Sequence, residues 1–301
     1  MTKPSRILVI GSSNTDMTVK SGHLPVPGET VMGGKFIMGP GGKGANQAVA
    51  ARRLGADVTF ICKVGRDLFG DNAIEGYRKE GIDVSHIMRS GEASGTALIL
   101  VDGKGENVIS VAPGANADFT VADIDSVGDV IRSSDFLILQ LEIPSDCVAR
   151  AARIGHEAGV TVILNPAPMC PLPGEIFRDI SLIIPNQTEI SKLTGIEVTD
   201  GDSLAEAVRR IRESGVRDVI VTLGSKGALV AEGDTFVLVP ALKVEAVDTT
   251  AAGDTFCGAI CVGLSEGMTL VEAARFATRA AALTVQKIGA QSALPYRNEI
   301  I

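Results

Sequence analysis

The sequence has few of the residues that hold metals or disulfides. Its five cysteines, Cys62, Cys147, Cys170, Cys257 and Cys261, form no C-x-x-C pair. The odd number argues against a disulfide framework and for a reducing cytoplasm. Cys257 and Cys261 lie four apart on an expected helix and read as small buried hydrophobes. The three histidines, His23, His86 and His156, are scattered without metal-ligand spacing. No apolar run approaches the length of a membrane span. The polar start, Met1 to Arg6, runs straight into a strand and does not read as a signal peptide. Positive charge is also lacking: the net charge is −8, which argues against a duplex nucleic-acid surface. Repeats, low-complexity tracts and long linkers are missing too.

The chain does have a hydrophobic fraction of 45% and 34 glycines in 301 residues, which suit a compact α/β protein with many tight turns. Length alone allows about two domains. The pattern instead predicts repeated β-α units with polar groups at strand ends, plus a β flap inserted into one core. An anionic substrate would need local positive field from helix ends, Lys, Arg or bound cations.

Arg6 to Ile10 reads as a buried strand ended by Gly11, with Ser12, Ser13, Asn14, Thr15 and Asp16 beyond it. Open α/β sheets bind ligands at such strand ends, and Asn14 and Asp16 suit sugar hydroxyls as well as an ordinary turn. Val19 to Met38 breaks into short β-like pieces. A glycine loop, Gly39 to Gly44, then feeds a helix through Ala45, Asn46 and Gln47. Gly39, Gly41 and Gly44 satisfy G-x-G-x-x-G, but no buried strand leads in, and the next strand, Val58 to Cys62, ends in Lys63 rather than an acid. Lys43 is followed by Gly44, so this is no Walker A motif either. The loop reads as backbone lying against a polyhydroxyl ligand, with Lys43 and Asn46 facing it.

Asp57 to Gly65 is expected as a strand, Asp67 to Glu80 as a helix, and Thr96 to Val101 with Asn107 to Val111 as a hairpin completing the flap. Phe136 to Leu141 is an apolar strand with Glu142 at its end, a ligand contact or a helix cap. Asn186 and Glu189 open a helix after another strand; they suit a hydrated Mg²⁺ and a capping box alike. Thr222 and Gly224-Ser225-Lys226-Gly227 form a second glycine turn that could cover a nucleotide. In Asp248-Thr249-Thr250-Ala251-Ala252-Gly253-Asp254, two carboxylates flank tiny residues, and a helix is expected to begin at Asp254. Free amides at that end form an anion site, with a carboxylate beside it that can take a proton.

Together, Gly11 to Asp16, Gly41 to Asn46, Asn186 to Glu189 and Asp248 to Asp254 resemble the ribokinase (PfkB-type) family of carbohydrate kinases. Asn165-Pro166-Ala167-Pro168, Thr222 to Ser225 and Gly289-Ala290-Gln291 add to the resemblance, which spans the chain in order. It implies a three-layer α/β/α sandwich with a mostly parallel central sheet. A small β lid would form from about residues 12–40 and 95–113. It implies cytoplasmic, ATP-dependent phosphorylation of D-ribose at O5, or of another sugar such as deoxyribose. Asp254 would be the base, and the amides of Ala251, Ala252 and Gly253 the anion hole. Asn14, Asp16, Gly41, Gly42, Lys43, Asn46 and Glu142 would line the sugar site. Asn186, Thr222, Gly224, Ser225, Lys226, Gly227, Gly253 and Thr278 would hold ATP. Glu189 would organise Mg²⁺ through water. K⁺ would bind through Asp248, Thr250, Thr284, Lys287 and Gly289, with Ala293 where such sequences often carry Ser. There, either Ser292 shifts in or a ligand is lost. A homodimer through the lid is expected, and neither nucleic acid nor membrane as partner.

Overall fold

The computed structural model describes residues 5–233 and 235–300. The expectation about a leader rests partly on Met1 to Pro4, which lie outside the described residues. In chain order the strands are β1 Arg6–Ile10, β2 Asn14–Lys20, β3 Lys35–Gly41, β4 Asp57–Ile61, β5 Lys63–Val64, β6 Met88–Arg89 and β7 Gly95–Val101. They continue as β8 Asn107–Ala112, β9 Phe136–Leu139, β10 Thr161–Leu164, β11 Leu182–Ile183, β12 Asp218–Thr222, β13 Ala228–Glu232 and β14 Thr235–Val239. The helices are α1 Lys43–Arg53, α2 Leu68–Lys79, α3 Val121–Ser126, α4 Gly128–Ser133, α5 Ser145–Glu157, α6 Gln187–Thr194, α7 Gly201–Glu213, α8 Ala252–Ser265 and α9 Leu270–Thr284.

Eight strands form the central sheet in the order β14-β13-β12-β11-β10-β9-β1-β4. Six are parallel, and β13 and β14 add an antiparallel edge. Strands buried on both faces carry continuous apolar runs, as Ile7 to Ile10 and Leu137 to Leu139 do. The two-residue period of a strand sends their side chains alternately into two cores. Ile7, Val9 and Ile138 pack with α1, α2, α8 and α9, whereas Leu8, Ile10, Leu137 and Leu139 pack with α3 to α7. The result is three layers, α/β/α.

A second sheet has the order β3-β2-β7-β8. Here the structure departs from the expected segment boundaries. Gly39, Pro40 and Gly41, expected as loop, complete β3; Pro40 faces Thr15 on the sheet edge, where a missing N–H does least harm. Asn14 and Asp16, for which a turn was one of two readings, lie on β2. The strand expected from Asp57 to Gly65 divides at Cys62 into β4 and a short β5 that pairs with β6 in a separate ladder. The helix expected to begin at Asp254 begins two residues earlier, at Ala252.

Two helices meet at the centre of the first layer because both are built from small residues. The buried face of α1 includes Gly44, Ala45, Ala48, Ala50 and Ala51, and that of α8 includes Cys257, Gly258, Ala259 and Cys261. A Cβ at Gly258 would sit 2.9 Å from the Gln47 carbonyl oxygen and 3.0 Å from the Ala50 methyl. Gly258→Ala should therefore force the helices apart and destabilise by about 1–3 kcal/mol. Gly76→Ala on exposed α2, where an added Cβ meets nothing within 4 Å, should stabilise by about 0.5–1 kcal/mol. Urea unfolding of both variants checks the contrast.

Candidate functional site

The C-terminal end of β1 leads directly into the site. Ser12 accepts the Ala45 amide through its carbonyl and the Gly44 amide through its hydroxyl. The Lys43 amide donates to Glu142 Oε2 at 2.9 Å, and the Ser12 hydroxyl donates to the same oxygen. Ser12 and Glu142 thus take up three orphan amides of α1, and a carboxylate stands at the positive end of the helix. The alternative of Glu142 as a cap for α5 is not realised, since that helix starts at Pro144 without a side-chain cap. Gly42, the N-cap, has φ 90°, and a Cβ there would meet the Asn14 amide nitrogen at 2.8 Å. Glycine is required where the loop crosses the strand. The preceding Gly39 and Gly41 lie on β3 of the second sheet, so the glycine pattern has no strand–turn–helix setting for a dinucleotide.

Asn14 and Asp16 lie two apart on β2 and so share one face of the second sheet. Asn116, a buried residue the sequence reading passed over, fixes the first of them. Its Oδ1 accepts the Ser13 amide at 2.9 Å, which turns its Nδ2 toward Asn14 Oδ1 at 2.7 Å. Asn14 therefore keeps its donor nitrogen for a ligand. The carboxylate of Asp16 occupies the space a Cβ at Gly41 would fill. Burial, with the charges of Glu142 and Asp254, pushes the Asp16 carboxyl up to about 6. The Asp254 carboxylate holds the Lys43 ammonium above its ordinary value, against the effect of burial. The charges of three carboxylates and one lysine thus act on one another.

Asp254 is buried in the first turn of α8. Asn46 Nδ2 donates to its Oδ2 at 2.9 Å and Gln47 Nε2 to its Oδ1 at 3.0 Å. Asn46 Oδ1 is buried without a partner, as a site awaiting a hydroxyl donor would be. Ala251, before the helix, has φ 60°, and among the described residues it is the one non-glycine with positive φ. Strain of this kind is found where backbone must be aimed. Of the three amides expected as an anion hole, Ala252 already donates to Thr249 O, at a long 3.3 Å.

Beside Asp254 opens a cavity of about 420 Å³. Asn186, Thr222, Gly224, Ser225, Gly227, Gly253 and Thr278, scattered in sequence, all line it; Lys226 does not. A bridge between Asn186 and Thr222 brings two strand ends together. The apolar wall of Leu242, Val244, Phe256 and Val285 was not foreseen, because it carries no polar motif. Asn186 and Glu189 form a capping box at α6: Asn186 Oδ1 accepts the Glu189 amide and Glu189 Oε2 the Asn186 amide, each at 2.8 Å. Burial pushes the Glu189 carboxyl up, and Lys43 and Asp254 both act on it electrostatically.

Asp248 lies behind the loop. Its Oδ1 accepts the amide and hydroxyl of Thr250, and its Oδ2 accepts the Gly289 amide at 2.9 Å. Partial burial raises this carboxyl, but these bonds win and hold it below the ordinary range. Val247 and Asp248 donate their amides to Val285 O, and Lys287 donates its own to Thr284 O. These bonds draw Asp248, Thr250, Thr284, Lys287 and Gly289 into one region. Ser292 Oγ donates to Ile288 O at 3.0 Å, and Ala293 is fully buried with no side-chain oxygen to offer.

The sequence reading missed Ser12, Gln47, Asn116, Gln140 and Asn165 as members of this polar network. The available signal was two adjacent amides, Asn46-Gln47, in a helix otherwise built of small apolar residues. The raised Asp16 carboxyl sets a pH dependence. Between its unfolded value of 3.8 and about 6, the folded chain holds a proton that the unfolded chain releases. Stability therefore falls as pH rises through that window, and above it Asp16 costs about 3 kcal/mol. Asp16→Asn should remove this slope and be the more stable protein at pH 7, as urea unfolding at pH 4 and pH 7 would measure.

The model of the pfkB family of carbohydrate kinases matches residues 4–297. A ribokinase of Haemophilus influenzae is 42% identical over 296 residues, covering 98% of this chain and 97% of that protein. A deoxyribokinase of Salmonella typhi is 37% identical over 291 residues, covering 96% and 95%. The structure of Arabidopsis thaliana ribokinase complexed with ribose and ATP superposes with a TM-score of 0.93 at 33% identity, covering 99% of this chain and 97% of that one. A match along nearly the whole chain, joined to the three-layer fold, places this protein in the pfkB family of carbohydrate kinases.

Proposed function

We propose that the protein transfers the γ-phosphoryl group of ATP to the 5-hydroxyl of D-ribose, giving ribose 5-phosphate and ADP. One observation carries this reading. The charge of Asp254 acts on both Asp16 and Lys43, and its neighbour Gly253 lines the large cavity, so one carboxylate lies between a group of polar residues and a largely apolar space. The ligands named for the Arabidopsis structure, a sugar and a nucleotide, match those two chemistries.

In this reading Asn14 donates to the sugar, Asp16 and Glu142 accept from its hydroxyls, and the orphan Asn46 Oδ1 takes another. Gly41 and Gly42 let the sugar lie against backbone. Asp254 takes the proton from O5 as that oxygen bonds to the γ-phosphorus and the bond to the β,γ-bridging oxygen breaks. Base assistance of this kind is worth about a hundred- to ten-thousand-fold. First-turn amides of α8, chiefly Gly253 with its open surroundings, neutralise the phosphoryl oxygens, as does Lys43. ATP occupies the 420 Å³ cavity, its base against the wall at Thr278 and Val285. The four-stranded sheet acts as a lid that keeps water from competing as acceptor.

Two cations are implied. Among the described residues no group of three or more His, Cys, Asp or Glu side chains could hold a metal. A single carboxylate with water and phosphate oxygens suits Mg²⁺, and Glu189, whose Oε1 lies outside the capping box, fits the part. Bound there, Mg²⁺ would add charge neutralisation at the phosphates. Asp248 and the carbonyls of Thr250, Thr284, Lys287 and Gly289 would hold K⁺, with Ala293 giving no side-chain ligand.

Deoxyribose is the second reading, favoured by the Salmonella relative; Asn14 and Asp16 would then meet one hydroxyl fewer. Asp254→Asn should lower kcat by at least about a hundredfold while ribose still binds; survival of turnover refutes the base. ADP release across ribose, deoxyribose and hexoses, in K⁺ or in tetramethylammonium, and with or without Mg²⁺, tests substrate and cations. Equal rates with K⁺ and tetramethylammonium would remove the monovalent site.

The lid also argues for a homodimer. In its register Met17, Val19, Phe36, Met38, Leu98 and Leu100 share one face, opposite to Asp16. Phe36 is 60% exposed, Met38 52% and Leu98 55%, a contiguous apolar patch on a protein of net charge −8. Light scattering should report a dimer, and Phe36→Asp with Leu98→Asp should shift it to monomer. A monomeric parent protein would sink this arrangement.

A further inference from the structure

Gln47 is wholly buried and does not line the large cavity, yet three polar groups converge on it. Its Nε2 donates to Asp254 Oδ1 at 3.0 Å and to Asn165 Oδ1 at 3.1 Å. Its Oε1 accepts from Gln140 Nε2 at 2.7 Å. Asn165 in turn donates through Nδ2 to the main-chain oxygen of Ile184 at 2.9 Å.

That last bond gives the network a direction. A main-chain carbonyl can only accept, so Asn165 must turn its NH₂ toward Ile184 and its oxygen toward Gln47. Gln47 must then present its nitrogen to Asn165, and this same nitrogen faces Asp254. A half-turn of the Gln47 amide would set oxygen against oxygen at both contacts. The orientation therefore runs from the backbone beyond β11, through two amides, to the carboxylate. Gln140 closes the network from the end of β9 by donating to the remaining Gln47 oxygen.

We infer that Gln47 is a positioning residue for phosphoryl transfer, with Asn165 and Gln140 as its anchors. It touches neither sugar nor nucleotide. Its bond to Oδ1, with that of Asn46 to Oδ2, fixes the plane of the Asp254 carboxylate so that the outer lone pairs meet the sugar hydroxyl. Without it the carboxylate is held by Asn46 alone, through one oxygen, and can turn about its Cβ–Cγ bond. The ground-state contacts of both substrates remain, while the alignment needed for proton removal is lost. The inference rests on the reading of Asp254 as the proton acceptor.

The test is steady-state kinetics on Gln47→Leu, Asn165→Ala and their double variant, beside Asp254→Asn. Losing one hydrogen bond to a charged group corresponds to a fall in kcat of about ten- to a hundredfold. Gln47→Leu should show that fall with the KM values for ribose and ATP within about twofold of the parent, the mark of an interaction that matters in the transition state. Asn165→Ala should show a smaller fall, and the double variant should be no slower than Gln47→Leu, because Asn165 acts only through Gln47. Unchanged kcat in Gln47→Leu would overturn the inference, as would KM values that rise while kcat holds, or losses that multiply in the double variant. Should Gln47→Leu fail to fold, Asn165→Ala decides, and a parental kcat there sinks the proposal. If Asp254→Asn is inactive and Gln47→Leu fully active, this inference alone fails. If Asp254→Asn keeps its turnover, the base reading falls and takes the inference with it.

Discussion

The site depends on how closely α1 and α8 approach one another. Gly258 has no room for a Cβ against the Gln47 carbonyl and Ala50, so the two helices meet at backbone distance. At that separation, two short-reaching amides on α1 hold both oxygens of a carboxylate on α8, some two hundred residues later in the chain. A wider gap would leave Asp254 buried with no donors, and a buried charge without partners is among the most costly features a fold can contain. The small residues of both helices are thus a requirement of the chemistry as well as of packing.

The same economy recurs around the cleft. Orphan amides at the start of α1 are met by Ser12 and Glu142 from two different strand ends. Those at the start of α6 are met by Asn186 and Glu189. At α8 no side chain caps the helix, and Ala251 before it is held in a left-handed conformation. The one uncapped helix start beside the large cavity is the one suited to an anion. The second sheet serves two ends at once. Its inner face carries Asn14 and Asp16, while its outer face is apolar and exposed.

Much of this was legible in the sequence. The strand-end positions of Glu142 and Asn186 follow from hydrophobic runs ended by a proline nearby, a local pattern. The helix expected from Asp67 to Glu80 is observed over Leu68–Lys79 with Asp67 as its N-cap, a local feature too. What failed was local ambiguity settled at long range. Gly39-Pro40-Gly41 has every mark of a loop, yet it becomes strand because β2 supplies a partner along its length. Asn116 and Gln140 carry no motif at all, since one asparagine or glutamine in a polar stretch looks like any other.

The sequence by itself determined the alternation of strands and helices, the glycine turns, and the family to which the motifs belong. These depend on residues near one another in the chain, whose period, size and backbone freedom act locally. Only the tertiary structure decided which polar residues answer one another. It placed Gln47 and Asn46 on Asp254, Asn116 on Asn14, and Gly289 on Asp248. The physical reason is that a buried hydrogen bond needs a partner at about 3 Å with the right end turned toward it. Such a match is fixed by the packing of helices and sheet, and no spacing along the chain records it.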